Sequence, residues 1–173
     1  MKSSYVASIG IFMPCYNLDE YIDTALESLK AQTSQDFHLI IADDASTNTT
    51  ASKKLADLKR RGYEVYFEKH NLGLIKISNK YMSLMLTEHI MLLSSEDTLE
   101  PTFIEKSIAY LNSNPQKAAV CTWIQQFGDY NETIIYNEER CRLPYMLIDN
   151  YYSGAAVIRK KAWLAAGKHD TDG

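Results

Sequence analysis

Acidic side chains follow two apolar segments of this chain, at the point where each segment ends. Asp43 and Asp44 come directly after one apolar run, and Glu96 and Asp97 follow another after two serines. Carboxylates that lie close together repel each other unless a cation or a hydrogen-bonding ligand lies between them. Carboxylate oxygens suit Mg²⁺ or Mn²⁺, which take one or two protein carboxylates and complete their shells with water and substrate phosphates. The residue types therefore favour a divalent cation and a diphosphate ligand.

The elements that must position these residues alternate between strands and helices. Strands are predicted at 8–13, 38–42, 63–68, 90–93 and 118–123, with helices at 21–29, 50–61, 75–87 and 101–112. The first strand is expected to stop at Pro14, which cannot donate to a ladder, and Asn17 or Asp19 is expected to cap the first helix. Further on we expect an edge strand at 133–136, a loop at 140–149, a strand at 155–158 and a helix at 160–166.

This alternation predicts an α/β domain, with a mainly parallel sheet and helices on both faces, because each parallel strand needs a crossover helix. One domain is expected to cover residues 1–173. In such sheets ligands bind outside the carboxyl ends of the strands, near a switch in strand order. Pro14 to Asn17 and both acidic pairs would share that edge. Each pair also has a structural interpretation, as a helix cap or an exposed loop, and their joint placement makes both interpretations weaker.

Composition and missing motifs exclude several classes. The net charge is -4 and the pI about 5.6, so there is no basic excess for nucleic acid, and none is expected as a partner. The three cysteines form no C-x-x-C pair, so neither a zinc site nor a disulfide framework is indicated. No apolar run is long enough to span a bilayer, so the expected compartment is the cytoplasm. Without a G-x-G-x-x-G or a P-loop, phosphate would be held by metal and side chains.

The motifs together resemble those of the family 2 glycosyltransferases, which have the Rossmann-like GT-A fold. The resemblance lies in residues 8–17 (SIGIFMPCYN), 21–33, 36–37, 40–47 (IIADDAST), 71–73 (NLG), Asn79 and 93–97 (LSSED), with Pro101 following. It is strong over 8–111 and returns weakly at 154–170. It implies an enzyme that transfers a sugar from a nucleotide diphosphate sugar, with a UDP-sugar favoured, to a saccharide or lipid-linked acceptor. Inversion at the anomeric carbon and assistance by Mn²⁺ or Mg²⁺ are typical of this family.

The resemblance also implies roles for individual residues. The residues expected to bind the nucleotide sugar are Pro14, Tyr16, Asn17, Asp44, Asn79, Ser95 and Glu96. Asp44 would bind the base, Asp97 would bind the metal, Glu96 would bind the ribose or the metal, and Asp43 would be structural. The metal-binding element departs from the usual form, since Ser94 stands where an aspartate is frequent and Glu96 replaces the usual aspartate. Metal binding is therefore less firmly implied than nucleotide binding.

The catalytic base is the part that the resemblance does not supply within this chain. In the family it is an acid after a glycine-containing turn that residues 166–170 (AGKHD) resemble, which places it beyond Gly173, with Asp170 as the weaker candidate. We therefore expect a domain truncated at its C-terminus. A non-catalytic nucleotide-sugar-binding module is the alternative function, and a receiver-like signalling domain is disfavoured because its acids would follow other strands.

Two further surfaces have both a structural and a functional interpretation. Trp123 and the tyrosines after it can line an acceptor cleft or simply pack in a core. The basic side chains of the second helix, including Lys59 and Arg60, can be solvated or can contact an anionic membrane, since acceptors in this family can be lipid-linked.

Overall fold

The computed structural model describes residues 6–17, 20–129, 131–136, 139 and 154–170. In chain order the elements are β1 (Ile9–Cys15), α1 (Ile22–Lys30), β2 (Phe37–Asp43), α2 (Thr49–Arg60), β3 (Val65–Phe67), α3 (Leu74–Leu84), β4 (His89–Leu92), α4 (Phe103–Ser113), β5 (Ala119–Val120), β6 (Ile124–Gln125), β7 (Thr133–Ile134), β8 (Val157–Arg159) and α5 (Lys160–Ala165). The predicted loop at 140–149 and the predicted cap Asp19 lie outside the described residues. Among the helices described, none is long and apolar enough to cross a membrane.

Six strands form one sheet, in the order β3-β2-β1-β4-β8-β5. β1 pairs in parallel with β2 and with β4, and β2 pairs in parallel with β3. β8 runs antiparallel to both of its neighbours. The predicted α/β fold with a mainly parallel sheet is therefore confirmed. The predicted edge strand at 133–136 instead forms β7, which pairs with β6 in a separate two-stranded sheet.

Two hydrophobic cores lie on opposite faces of the large sheet, because alternate strand residues point to opposite sides. On one face the side chains of Ile9, Ile11 and Met13 belong to a core that includes residues of α1, α2 and α4. On the other face Phe12 belongs to a core with residues of α3 and with Trp163 of α5. β1 contributes to both cores and lies at the centre of the fold, with helices on both faces as predicted.

β1 continues through Pro14, although the sequence predicted that the strand would stop there. Pro14 pairs in register with Ala42 of β2, whereas the register with β4 ends at Phe12. The carbonyl of Phe12 accepts from the amide of Leu93, so Phe12 and the residue two further along turn their backbone groups toward the β4 side. The N–H that Pro14 lacks would have pointed to the β4 side, so the ladder with β4 ends there while the pairing with β2 continues.

A buried arginine joins β8 to the rest of the domain. Arg159 is 5% exposed, and its guanidinium donates to the backbone oxygens of Leu111 at 2.6 Å and Lys117 at 3.0 Å. It also donates to the Glu88 carboxylate at 2.8 Å and lies 3.3 Å from Nε2 of His89. Because a buried cation is tolerated only when its donors are satisfied, these contacts fix β8 and the start of α5 beside β4.

Candidate functional site

The predicted site residues leave the sheet at one edge, beside a reversal in strand order. β2 and β3 lie on one side of β1, whereas β4 lies on the other. Because β2, β1 and β4 are parallel neighbours, the loops that follow them leave the same edge, where open α/β sheets bind ligands. Tyr16 follows β1 and is 44% exposed, whereas Pro14 is half-buried. An exposed aromatic ring therefore follows β1 at the edge of the sheet where the loop after β4 also leaves.

Asn17 joins the loop after β1 to the loop after β2. Its carboxamide oxygen accepts from the backbone N–H groups of Thr47 at 2.8 Å and Asn48 at 2.9 Å, and its own N–H donates to Ser46 Oγ at 2.8 Å. Asn17 adopts a left-handed φ of 58°, which asparagine tolerates better than most residues. The expectation that Asn17 caps α1 is wrong, because the N-cap of α1 is Tyr21 without a side-chain bond. Asn17 instead fixes two loops of the site.

Asp44 holds the loop that follows β3. It is 4% exposed, and its two carboxylate oxygens accept from the backbone N–H groups of Leu72 at 2.7 Å and Gly73 at 2.8 Å. Asn71 donates from its side chain to the backbone oxygen of Asp44 at 3.1 Å. Gly73 is the N-cap of α3, so the Asp44 carboxylate lies at the positive end of that helix. These bonds explain how a buried carboxylate is stabilised without a cation.

Asp43, which was expected to be structural, accepts from the backbone N–H of Ser46 at 3.0 Å and is 3% exposed. This bond closes the turn between β2 and α2. Asn48 then caps α2 by accepting from Thr50 N–H at 2.8 Å. The helix cap therefore comes from Asn48, and neither aspartate is the side-chain N-cap of α2.

The loop after β4 has a buried part and an exposed part. Ser95 is 1% exposed, and its hydroxyl is buried. It lies near the thiol of Cys15, where burial raises the pKa of Cys15 to about 12 and the Ser95 hydroxyl opposes that rise. A buried thiol of this kind is not a nucleophile. The side chains of Cys15 and Ser95 are thus both buried, whereas residues 96–98 of the loop are exposed.

Glu96 and Asp97, the predicted metal ligands, are both exposed. Desolvation raises the pKa of Asp97 above its ordinary value. The described residues contain no cluster of three or more His, Cys, Asp or Glu side chains that could hold a metal alone. Because Mg²⁺ and Mn²⁺ commonly take one or two carboxylates with substrate phosphates, these two side chains fit an ion that a bound diphosphate also ligates.

Asn79 lies on α3 and contacts the turn that follows α5. Its carboxamide donates to the backbone oxygen of His169 at 2.9 Å and accepts from the His169 N–H at 3.1 Å. Asp170 is exposed at the end of this turn. The structure therefore brings two predicted residues, Asn79 and Asp170, to one segment, on the face of the sheet that α3 covers.

Gln32 fixes the segment that follows Glu96 and Asp97, and no role was predicted for it from the sequence. It is 4% exposed; its amide nitrogen donates to the backbone oxygens of Leu99 and Glu100 at 3.3 and 2.8 Å, and its oxygen accepts from Ile104 N–H at 3.1 Å. It thereby holds the segment between the Glu96–Asp97 pair and α4. The available signal was a glutamine directly after the apolar stripe of α1, where a polar side chain would face the core.

Comparisons with known proteins agree with this geometry. The model of the family described as glycosyl transferase family 2 matches residues 10–166. An uncharacterized glycosyltransferase of Haemophilus influenzae is 27% identical over 132 residues, which is 75% of this chain and 38% of that protein. The chain thus spans well under two thirds of the length of this relative.

Solved structures share the fold at low sequence identity. S. aureus TarS 1-349 in complex with UDP-GlcNAc has a TM-score of 0.73 and 17% identity, and the match covers 92% of this chain and 47% of that one. A mannosyltransferase of Pyrobaculum calidifontis, PcManGT, in complex with GDP-Man and Mn²⁺, has a TM-score of 0.67 and 16% identity, over 98% of this chain and 49% of that one. These likenesses establish the GT-A fold. Since the family model runs from β1 to the end of α5, the chain belongs to glycosyl transferase family 2.

Proposed function

We propose that this chain is the donor-binding part of an inverting, metal-assisted glycosyltransferase that uses a nucleotide diphosphate sugar. The observation that carries the proposal is the exposed pair Glu96 and Asp97 at the edge of the sheet where strand order reverses beside β1. Membership of the family supports glycosyl transfer. Binding of UDP-GlcNAc by TarS supports a UDP-sugar as the donor, and binding of GDP-Man by PcManGT makes a GDP-sugar the competing choice.

The nucleotide is proposed to bind across the loops after β1, β2 and β3. Tyr16 and Pro14 lie at the end of β1 and are proposed to supply apolar surface for the base. Asp44 and Asn17 fix the surrounding backbone through the hydrogen bonds described above. We propose that the base lies against this pre-organised backbone, and that Ser95 contributes through its main chain because its hydroxyl is buried.

The reaction is proposed to be a single displacement. Mn²⁺ or Mg²⁺ bound at Asp97 and Glu96 would supply positive charge to the diphosphate, which stabilises the charge that develops as it leaves. An acceptor hydroxyl oxygen forms the new bond to the anomeric carbon from the face opposite the diphosphate, and the bond from that carbon to the diphosphate oxygen breaks. The electron pair leaves with the diphosphate, the hydroxyl proton passes to a carboxylate, and the configuration inverts. We propose that the carboxylate that accepts this proton belongs to an acidic residue after the turn that follows α5, with Asp170 as the alternative.

The acceptor is proposed to approach from the side of β5. β5 is antiparallel to β8, which is antiparallel to β4, so β5 ends at the same edge as β4. The chain that leaves β5 there carries Trp123, which is 61% exposed, and Phe127, which is 66% exposed. Exposed aromatic faces suit a saccharide ring. For a lipid-linked acceptor, Lys59 and Arg60 on the exposed surface of α2 are proposed to contact an anionic membrane.

A transfer assay tests this proposal. The full-length protein is incubated with UDP-GlcNAc or GDP-Man, with Mn²⁺ or with chelator, and release of the nucleoside diphosphate is followed. We expect metal-dependent release from one donor, strongly reduced in Asp97→Ala and unchanged in Asp57→Ala, whose carboxylate pairs with Arg60 at 2.9 Å on exposed α2. Nucleotide binding without any release would favour the non-catalytic module, and neither binding nor release would refute the proposal.

A further inference from the structure

Helix α3 and the turn after α5 are joined by a reciprocal pair of hydrogen bonds. The Asn79 carboxamide donates to the carbonyl of His169 at 2.9 Å and accepts from its N–H at 3.1 Å. Both polar groups of one backbone residue are thus held by one side chain, 90 positions away in sequence. Two bonds to one residue fix orientation as well as distance. Asn79 therefore determines where this turn lies on α3.

The turn contains two residues with a left-handed backbone conformation. Gly167 has a φ of 89°, and Lys168 has a φ of 71° although it carries a side chain. A left-handed conformation is unfavourable for a residue that carries a Cβ. The backbone N–H groups of Gly167 and Lys168 bond the carbonyls of Leu164 at 3.1 Å and Trp163 at 2.9 Å, so α5 holds the start of the turn and Asn79 holds the segment after it. Strained backbone of this kind persists only where the surrounding structure enforces it, and it is concentrated at functional sites.

The side chains of the turn pack against the Trp163 ring of α5. The Trp163 ring meets the His169 ring edge-on with centroids 5.7 Å apart, and Lys168 Nζ lies 5.9 Å from the Trp163 ring. Burial lowers the pKa of His169, so its imidazole is neutral near neutral pH. Its Nε2 is buried without a hydrogen-bond partner among the described residues. Packing against Trp163 thus holds the His169 side chain, while Asn79 holds the His169 backbone.

Helix α3 connects this turn to the loop that Asp44 holds. Asp44 binds the backbone at the start of α3, and Lys160 donates to the carbonyls of Ser83, at 2.8 Å, and Met85 at its end. α5 begins beside Glu88, at the amino edge of β4, so the turn that follows it points back toward the carboxyl edge. α3 is therefore fixed at both ends and in its middle, and the chain leading to Asp170 is positioned from that middle contact.

We propose that Asn79 is a positioning residue for the transfer reaction: it does not touch the nucleotide, and it holds the His169–Asp170 segment in place relative to the donor loops. The proposal rests on the proposed function. It differs from the role implied by the family resemblance, in which Asn79 binds the nucleotide sugar, because both polar groups of its carboxamide already bond His169. The two roles predict opposite effects on nucleotide affinity.

The test compares Asn79→Asp and Asn79→Ala with Asn112→Asp, a control at an exposed asparagine of α4. Aspartate keeps the acceptor for the His169 N–H and loses the donor to its carbonyl. Three quantities are measured in the full-length protein: hydrogen exchange of the His169 amide, the Kd for UDP and GDP, and the kcat and KM for donor turnover, all well below the unfolding temperature.

We expect Asn79→Ala to lose protection of the His169 amide, with nucleotide Kd and donor KM within about twofold and kcat reduced by about 10²-fold, the scale of a misplaced reacting group. Asn79→Asp should lower kcat as well, and Asn112→Asp should change none of the three. A parallel loss of nucleotide affinity would overturn the proposal and assign Asn79 to the donor pocket. Unchanged kcat with lost protection would overturn it too. If the parent protein neither binds nor turns over any nucleotide sugar, the proposed function fails, and Asn79 can then have no positioning role in transfer.

Discussion

Replacement of Asp44 by alanine tests how the donor loops are held together. The carboxylate is buried and accepts two backbone N–H groups, from Leu72 at 2.7 Å and Gly73 at 2.8 Å. A hydrogen bond to a charged group contributes about 1.5–3 kcal/mol, and an anion at a helix N-terminus adds about 0.3–1 kcal/mol. Water can reach the half-buried 71–73 loop and replace part of this stabilisation. We expect Asp44→Ala to lower the free energy of unfolding by about 3–4 kcal/mol and Asp44→Asn by about half of that.

Urea denaturation near neutral pH measures this change. Asp57→Ala is the matched control, since the Asp57 carboxylate pairs with Arg60 at the surface and exposed ion pairs contribute less than about 1 kcal/mol. Nucleotide affinity should fall in Asp44→Ala because the loop that is proposed to border the base loses its support. A loss of less than about 1 kcal/mol in Asp44→Ala, with an unchanged m-value, would refute the account of Asp44 as the anchor of this loop.

Three further results are expected. Asp97→Asn should reduce metal-dependent nucleotide affinity by about tenfold or more in calorimetric titration while thermal stability stays equal or rises, because desolvation raises the pKa of Asp97 and its ionisation opposes folding. Since metal binding needs the ionised carboxylate, acidification through that raised pKa should weaken metal affinity earlier than for an ordinary aspartate, and a pH-independent affinity would contradict this. Gly10→Ala should cost about 1–3 kcal/mol in urea denaturation, because the added Cβ would overlap the buried Met85 side chain. Cys15 should resist alkylation in the folded protein at mildly alkaline pH, as read by mass spectrometry, because burial raises its pKa to about 12.

The order of the elements could be predicted from the sequence because buried strands and amphipathic helices have different apolar periods. Strands at 38–42 and 90–93 correspond to β2 and β4, and the helix at 50–61 corresponds to α2. The helix predicted at 75–87 ends at Leu84, which is 59% exposed. Beyond Leu84 the backbone of Met85 is extended, and Lys160, distant in sequence, bonds the carbonyls of Ser83 and Met85 there.

The antiparallel direction of β8 could not be predicted from local pattern. A short apolar run reads the same in either direction, and its orientation is decided by long-range contacts. Arg159 supplies those contacts by bonding the backbone of Leu111 and Lys117 and the Glu88 side chain. The strand predicted at 118–123 is shorter in the structure for a related reason, since only Ala119 and Val120 pair in register with β8.

The site was predictable in its residue types but not in its hydrogen bonds. Alternation of strands and helices was enough to bring Asp44 and Asp97 to one edge of the sheet. Nothing local indicates that Asp44 bonds the 71–73 loop or that Asn79 bonds His169, because each pair is separated by a long stretch of chain. Asn17 was expected as a helix cap since asparagine is common there, and its role in joining two loops depends on the neighbouring strand.

Calorimetric titration of UDP, GDP, CDP and dTDP, each with and without Mn²⁺, tests the central claim most directly. The claim is that Glu96 and Asp97 hold a divalent cation against the diphosphate of a bound nucleotide. It predicts that one nucleotide binds with a strong dependence on Mn²⁺, and that Asp97→Ala removes this dependence while Asp57→Ala keeps it. Nucleotide affinity that is the same with and without Mn²⁺, or that survives Asp97→Ala unchanged, would contradict the claim.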